Sequence, residues 1–461
     1  MLAFLALGYW LGGRLADARP HPTLLGRILL AASLLLAVTP FAARPLLRVA
    51  LRGFDELSIG IAAGSFLAVL ALFALPVTLM GAVAPFAVRL VLAGVEEAGR
   101  VTGRLYALST VGSILGTFLA ALLAIPLLGT RRTLLAAAVL LSLAAVPLVP
   151  RRAAAVVVLV TAVAAWPGGG IKRSANVIWE AESEYQYVRV LEYDDGSRAL
   201  ELNEGIAEQS VWYPGSVLTG GYWDLFLVLP KLLDRAPRSL LLIGSAGGTI
   251  PRAYAHFYPR VRIDGVELDP KVSEAGRRYF GLDHIAQLHT ITADGRVFLE
   301  RTTRRYDVIV IDAYRQPYIP FQLATVEFFR LVRAHLASGG VVALNVAATP
   351  HDRRLTTAIG STLRSVFPDV WLWRALRFSD LVFSFAEPRA RADLVRRAAT
   401  VDPRLRSLVP LLRRELAPAP SGGAPWTDDR APVEWVTDRM LAEQIARGEG
   451  LDERYLPTLP G

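Results

Sequence analysis

Hydrophobic residues along this chain follow three successive patterns. Through residue 167 they come in long runs, at 1–16, 24–42, 58–80, 105–128, 133–149 and 153–167, with a further run at 80–93. Several approach the roughly 20 apolar residues that a helix needs to cross a bilayer, and together they predict an α-helical membrane bundle of about six or seven spans. Trp166, Pro167 and the glycines 168–170 read as a linker. From residue 176 the period drops to two: Tyr185, Tyr187, Arg189 and Leu191 alternate with Gln186, Val188 and Val190. That alternation marks strands with one buried face. With the run 198–202 and the turn Asn203-Glu204-Gly205, it predicts a small antiparallel β-sheet over about 177–209.

The third pattern follows an aromatic, then helical segment over 211–233. Short apolar runs recur at 240–243, 261–266, 288–293, 306–311 and 341–346, with helical patterns at 250–258, 325–337 and 352–367. Runs at 370–376 and 380–385 read as a closing antiparallel pair, followed by a helix near 390–400 and a proline-rich turn. Five parallel strands and a terminal antiparallel pair predict an α/β, Rossmann-like domain of the class I methyltransferase type. The expected domains are therefore 1–167, 171–210 and 211–461.

The turn after the first parallel strand carries the first chemistry. It reads Gly244, Ser245, Ala246, Gly247, Gly248, Thr249. Glycines there let backbone and ligand approach closely, and the following helix offers free N–H groups. The second strand ends in Glu267 and Asp269, where an acid can accept both hydroxyls of a ribose. The third ends in Asp294-Gly295, suited to an adenine amino group, and the fourth in Asp312. A lone acid would be read as a helix cap. Acids at three successive strand ends form a negative crescent that repels a pyrophosphate and attracts a sulfonium. The pattern thus favours an S-adenosyl cofactor over a nicotinamide dinucleotide.

Composition narrows the classes further. The 461 residues are 53% hydrophobic, with a mean hydropathy of +0.38, too apolar for an ordinary soluble protein. Through Gly168 there are 13 arginines against 5 acids, a balance of +8, while the rest of the chain has 37 basic and 36 acidic residues. The basic excess flanks apolar runs, so it reads as membrane-flanking charge and not as a nucleic-acid surface. Arginines fall in nearly every loop, so they do not orient the spans. No Asp, Glu or Lys lies mid-span, which favours an anchor over an ion-coupled transporter. Gly60 with Gly64, and Gly112 with Gly116, have the spacing of close helix packing. There are no cysteines, and the six histidines form no metal-spaced cluster, so thiol and metal chemistry are not expected.

With these residues in view the chain resembles the spermidine synthases, the polyamine aminopropyltransferase family, in their bacterial membrane-fused form. The resemblance rests on Ser183-Glu184-Tyr185-Gln186, Leu202-Asn203-Glu204-Gly205, Gln209-Ser210, Tyr222, the glycine turn, Val266-Glu267-Leu268-Asp269-Pro270, Asp294-Gly295-Arg296 and the strand ending in Asp312. In the apolar half it rests on residues 76–82 and 103–113, and in the tail on Thr427-Asp428-Asp429 with Ala431-Pro432-Val433-Glu434. It implies that Gln186, Glu267 and Asp294 hold decarboxylated S-adenosylmethionine over a floor of Gly244, Gly247 and Gly248. Asp269 and Gly295 would complete that site, and Asp312 is the base the resemblance leaves for catalysis, or else a further contact to the cofactor. It implies further a small-molecule amine or other acceptor, a bilayer, a second copy of the chain, an inner-membrane location and a cytoplasmic catalytic domain.

The acceptor pocket departs from the family. Gly247 replaces an aspartate that helps hold the amine, Arg315 replaces a second, and Trp223 replaces a glutamine after Tyr222. Tyr222, Trp223, Tyr314 and Arg315 are the expected acceptor-side residues, with Asp224 or Asp429 as substitute carboxylates. Two other readings stay open: a methyltransferase using S-adenosylmethionine itself, and a non-catalytic or transport-coupled membrane protein with a nucleoside-binding domain.

Overall fold

A computed structural model describes residues 1–57, 61–92, 94–165, 176–203, 207–315, 317–374 and 376–447. The linker at 166–170, Gly60 and the turn residues Glu204 and Gly205 lie outside the described residues. The chain divides into two compact units, Met1–Ala175 with Ala181–Glu184, and Asn176–Glu180 with Tyr185–Gly461.

The first unit is helical: α1 (Leu2–Ala18), α2 (Pro22–Leu57), α3 (Ile61–Val91), α4 (Ala98–Leu119), α5 (Ile125–Leu128), α6 (Thr130–Ala145) and α7 (Ala155–Ala165). Among the described residues four stretches are long and apolar enough to cross a membrane: Pro22–Ala43, Phe66–Val91, Val95–Leu128 and Thr130–Leu148. The hydrophobic runs led to an expectation of six or seven. One reason is that the runs at 58–80 and 80–93 join in α3, with Pro76 and Pro85 inside the helix. Another is length: α7 has 11 residues, too short to cross alone.

Close helix packing falls on other glycines than expected. A Cβ added to Gly8 would lie 2.2 Å from the Thr78 carbonyl oxygen, and one on Gly12 would lie 2.5 Å from the Ala82 Cα. Gly81 meets Leu5 in the same way, so α1 and α3 touch backbone to backbone. By contrast, an added Cβ on Gly112 or Gly116 meets nothing within 4 Å. Spacing alone did not distinguish a packed glycine pair from an open one.

The second unit contains two sheets. The smaller holds β1 (Val177–Glu182), β2 (Tyr187–Glu192), β3 (Arg198–Leu202) and β4 (Glu208–Trp212) in sequence order. Val188, Val190, Leu200 and Leu202 face inward onto Val272, Ala275 and Phe280 of α10 (Pro270–Phe280). Arg189 and Glu201 pair on the opposite face, Nε to Oε2 at 2.6 Å. The period-two reading of this segment is therefore the alternation of a one-sided sheet.

The larger sheet has the order β12-β10-β11-β9-β8-β5-β6-β7. Its parallel strands are β5 (Ser239–Ile243), β6 (Arg262–Glu267), β7 (Leu288–Thr292), β8 (Tyr306–Ile311) and β9 (Leu336–Ala347). The antiparallel strands β10 (Trp371–Arg374), β11 (Ser379–Phe385) and β12 (Leu416–Pro418) finish it. Both faces are covered, which explains the continuous apolar runs. Leu240 and Leu242 enter one core, with Tyr254 of α9 (Thr249–Phe257). Leu241 and Ile243 enter the other, with Phe328 and Phe329 of α12 (Val326–Ala334). Helix α11 (Gly295–Arg301), helix α13 (Arg354–Arg364) and helix α16 (Val433–Ala446) also cover that second face.

The segment after the helix near 390–400, expected as a proline-rich turn, contains α15 (Leu408–Glu415) and β12. Leu408 and Leu412, four apart, are buried beside Leu394 of α14 (Arg391–Ala398), so tertiary burial outweighs the local prolines.

The amino ends of β5 and β8 are latched by one buried carboxylate. Asp307 accepts from the backbone N–H groups of Arg238 at 2.8 Å and Ser239 at 3.1 Å, and from the Arg235 guanidinium at 2.8 Å. Asp307→Ala would strand these donors at a cost of about 2–4 kcal/mol. The expected outcome is a lowered melting temperature of the purified protein, with Asp307→Asn losing less. An unchanged melting temperature in Asp307→Ala would show that the latch carries no stability.

Candidate active site

The strand order reverses between β5 and β8, and the carboxyl ends of a parallel sheet open a crevice at such a point. The glycine turn fills the end of β5. Gly244 has φ +88°, and a Cβ there would lie 2.4 Å from the Asp312 carbonyl oxygen. Gly248, with φ +92°, caps α9 and would press a Cβ onto Leu282. Ser245 and Gly244 donate their N–H groups to the Val266 carbonyl, clamping the turn to β6. The small sheet pins it from the other side: Gly247 N–H donates to Ser210 Oγ at 2.8 Å, and Val211 N–H to Thr249 Oγ1 at 2.9 Å.

Glu267, at the end of β6, is buried against this turn. Its Oε2 accepts from Ala246 N–H at 3.0 Å and its Oε1 from Asp269 N–H at 3.1 Å. Burial nevertheless outweighs these donors and raises its pKa to about 7. The Ala293 N–H donates to the Glu267 carbonyl, which sets Asp294 alongside. Asp294 caps α11, its Oδ1 accepting from Arg296 and Val297 N–H. Gly295 leaves room for Ile243, whose Cγ2 would lie 2.3 Å from an added Cβ. Asp269 is fully buried at the cap of α10, its Oδ1 accepting from Lys271 N–H at 2.8 Å. Gln186 lies half-buried ahead of β2.

Asp312 follows the end of β8. Tyr222 donates its hydroxyl to Oδ2 at 3.0 Å, and Asn345 donates Nδ2–H to Oδ1 at 3.2 Å. Burial raises this carboxyl also to about 7, against the pull of those two donors. The site therefore brings Gly244, Gly247, Gly248, Glu267, Asp294 and Gly295 together around the β5 end, with Asp312 and Tyr222 at the β8 end.

Three expected acceptor residues are placed as follows. Trp223 is buried in the core, 5% exposed, with its ring 4.5 Å from that of Tyr222. Tyr314 directs its hydroxyl to the β9 backbone, donating to the Asn345 carbonyl at 2.9 Å. Arg315 is exposed in a tight turn closed by backbone hydrogen bonds with Tyr318, and it joins no ion pair among the described residues. Of the two substitute carboxylates, Asp224 is fully buried and accepts from Gly220 N–H at 2.8 Å and from Thr219 N–H and Oγ1. It thereby holds the turn that carries Tyr222. Asp429 is exposed. Asn345 did not emerge from the sequence; its one signal is an amide within the apolar run of β9. Among the described residues no cluster of three or more His, Asp or Glu side chains could hold a metal ion.

Residues 221–375 match the spermine/spermidine synthase domain. A probable polyamine aminopropyl transferase of Bifidobacterium longum is 38% identical over 193 residues, covering 42% of each chain. The polyamine aminopropyltransferase of Vibrio vulnificus is 33% identical over 204 residues, covering 43% of this chain and 67% of that one. The match thus spans less than half the length of the Bifidobacterium relative. A probable spermidine synthase from Corynebacterium glutamicum overlays with a TM-score of 0.41 at 18% identity, over 63% of this chain and 100% of that one.

The raised Glu267 carboxyl gives a signed pH dependence. An acid whose folded pKa lies above its unfolded value binds a proton more tightly when folded. Its contribution is full at low pH, falls as pH rises from about 4.5 towards about 7, and is level above that. Glu267→Gln should flatten the fall in melting temperature across this window. Equal slopes in the two proteins would mean that Glu267 is not the group being titrated.

Proposed function

Because the chain belongs to the spermine/spermidine synthase family of polyamine aminopropyltransferases, we propose that its second unit is a membrane-anchored aminopropyltransferase using decarboxylated S-adenosylmethionine. The observation that carries this reading is the set of acids at the ends of β6, β7 and β8, Glu267, Asp294 and Asp312, on either side of the Gly244 turn that ends β5. Glu267 would take the ribose hydroxyls, Asp294 the adenine, and Gln186 part of the donor tail, over the glycine floor. The negative crescent favours a sulfonium, which is cationic before transfer and neutral after it.

In the reaction, an amine nitrogen attacks the methylene carbon next to sulfur. The C–S bond breaks and its electron pair stays on sulfur, leaving a neutral thioether. The proton lost by the attacking amine goes to the Asp312 carboxylate. With its pKa raised to about 7, that carboxylate has a base strength near working pH.

The acceptor pocket is altered. Gly247 and Arg315 stand where carboxylates hold the amine in the family, and the exposed Arg315 offers a cation where an ammonium would need an anion. Putrescine is then a poor acceptor. In a product assay with a panel of amines, wild type should form little spermidine, about a hundredfold below an ordinary enzyme of this type, and Arg315→Asp should gain activity with diamines. Efficient spermidine formation by wild type would refute the acceptor argument.

The donor site is tested by calorimetry with decarboxylated S-adenosylmethionine and with S-adenosylmethionine. Glu267→Ala and Asp294→Ala should each weaken binding by roughly tenfold or more, the loss of a charge-assisted hydrogen bond. Unchanged affinity in both would remove the site, and a clear preference for S-adenosylmethionine would turn the reading towards methyl transfer. The apolar helices would hold the enzyme in the inner membrane with its second unit in the cytoplasm, where adenosyl-sulfonium compounds are made. A fusion after Gly461 should report as cytoplasmic.

A further inference from the structure

We propose that Asn345 and Tyr314 are positioning residues that hold the Asp312 carboxylate, and that Tyr314 serves this relay and not the acceptor pocket. The inference rests on the reading of Asp312 as the base of the proposed reaction. Strands β8 and β9 are parallel, with Ile311 opposite Leu344, so Asp312 and Asn345 are neighbours at the ends of adjacent strands. The Asn345 side chain is buried, 8% exposed, and gives its Nδ2–H to Asp312 Oδ1.

Strand β8 stops at Ile311 while β9 runs on to Ala347. The Asn345 carbonyl and the Ala347 N–H therefore extend past the end of their strand partner. Groups like these need replacement partners when buried. Tyr314 supplies both: its hydroxyl donates to the Asn345 carbonyl at 2.9 Å and accepts from Ala347 N–H at 3.0 Å. A side chain thus continues the ladder where the backbone has turned away. The ladder fixes the backbone of Asn345, and that backbone aims the amide. With its donor and an acceptor lone pair used on β9, the Tyr314 hydroxyl is committed to the scaffold.

The groups packed on Asp312 define what its ionisation responds to. Tyr222, from the segment ahead of α8 (Leu229–Leu232), is the titratable side chain hydrogen-bonded to it among the described residues. Strand β9 presents the neutral Asn345, and β5 presents the Ile243 carbonyl, which accepts the Asp312 N–H at 2.8 Å. No described cation pairs with Asp312. Both donors favour the ionised carboxylate, so losing either one raises its pKa.

The test is an infrared pH titration of the full-length protein, following the protonated-carboxyl band that disappears in Asp312→Asn. In Asn345→Leu, close in size but without the donor, the midpoint should rise by about one pH unit. In Tyr314→Phe, which removes one oxygen and keeps the ring, it should rise by a smaller amount. A folded Asn345→Leu protein with the wild-type midpoint overturns the relay. An unchanged midpoint in Tyr314→Phe overturns it too, whether or not the leucine variant folds. Calorimetry with decarboxylated S-adenosylmethionine on the same proteins, at a pH above all the midpoints so that Asp312 is ionised in each, should give affinities within about twofold of wild type, because the negative crescent is then the same. Absence of donor binding in wild type would defeat the proposed function while the titration midpoints still decided the relay.

Discussion

The backbones of β5 and β8 meet at their carboxyl ends, and the site follows from that approach. Gly244 sits so close to the Asp312 carbonyl that any side chain would push the two strands apart. Asp312 in turn gives its N–H to Ile243, and the turn gives two N–H groups to Val266 of β6. The ends of β5, β6 and β8 are thereby held at fixed spacing, and Glu267 and Asp312 arrive on either side of the glycine turn. The strand order places this junction where the sheet reverses direction, which is where a crevice opens.

Carboxylates in the second unit divide into two kinds. Asp307 sits among backbone donors and a guanidinium, so its charge is fully used by the fold. Glu267 is buried and Asp312 half-buried, each with two donors and, among the described residues, no cation, and desolvation carries both to about 7. Such groups are ready to accept a ligand's hydroxyls, a sulfonium field or a proton, because the protein has not compensated them itself.

The helical unit obeys a different constraint. Its long apolar helices approach most closely where small residues permit backbone contact. Gly8, Gly12 and Gly81 provide that contact between α1 and α3. Phe86, Leu25, Leu29 and Ala145 close a core beside it.

The amino-acid sequence alone determined the two regimes of the chain, the succession of five parallel strands along it, the closing antiparallel pair and the acids at three strand ends. Each of these depends on local periodicity or on a residue type at a turn, and both survive in one dimension. Only the tertiary structure decided which glycines meet another backbone, since Gly8–Gly12 and Gly112–Gly116 share one spacing but not one environment. Only it showed that Trp223 belongs to the core, that Asp224 is consumed by its own turn, and that residues 408–418 form a helix and an edge strand. Asn345 is the clearest case. An amide inside an apolar strand has no meaning until the register of β8 and β9 sets it beside Asp312, because a hydrogen bond between residues 33 apart is fixed by how strands pair and not by what either segment prefers alone.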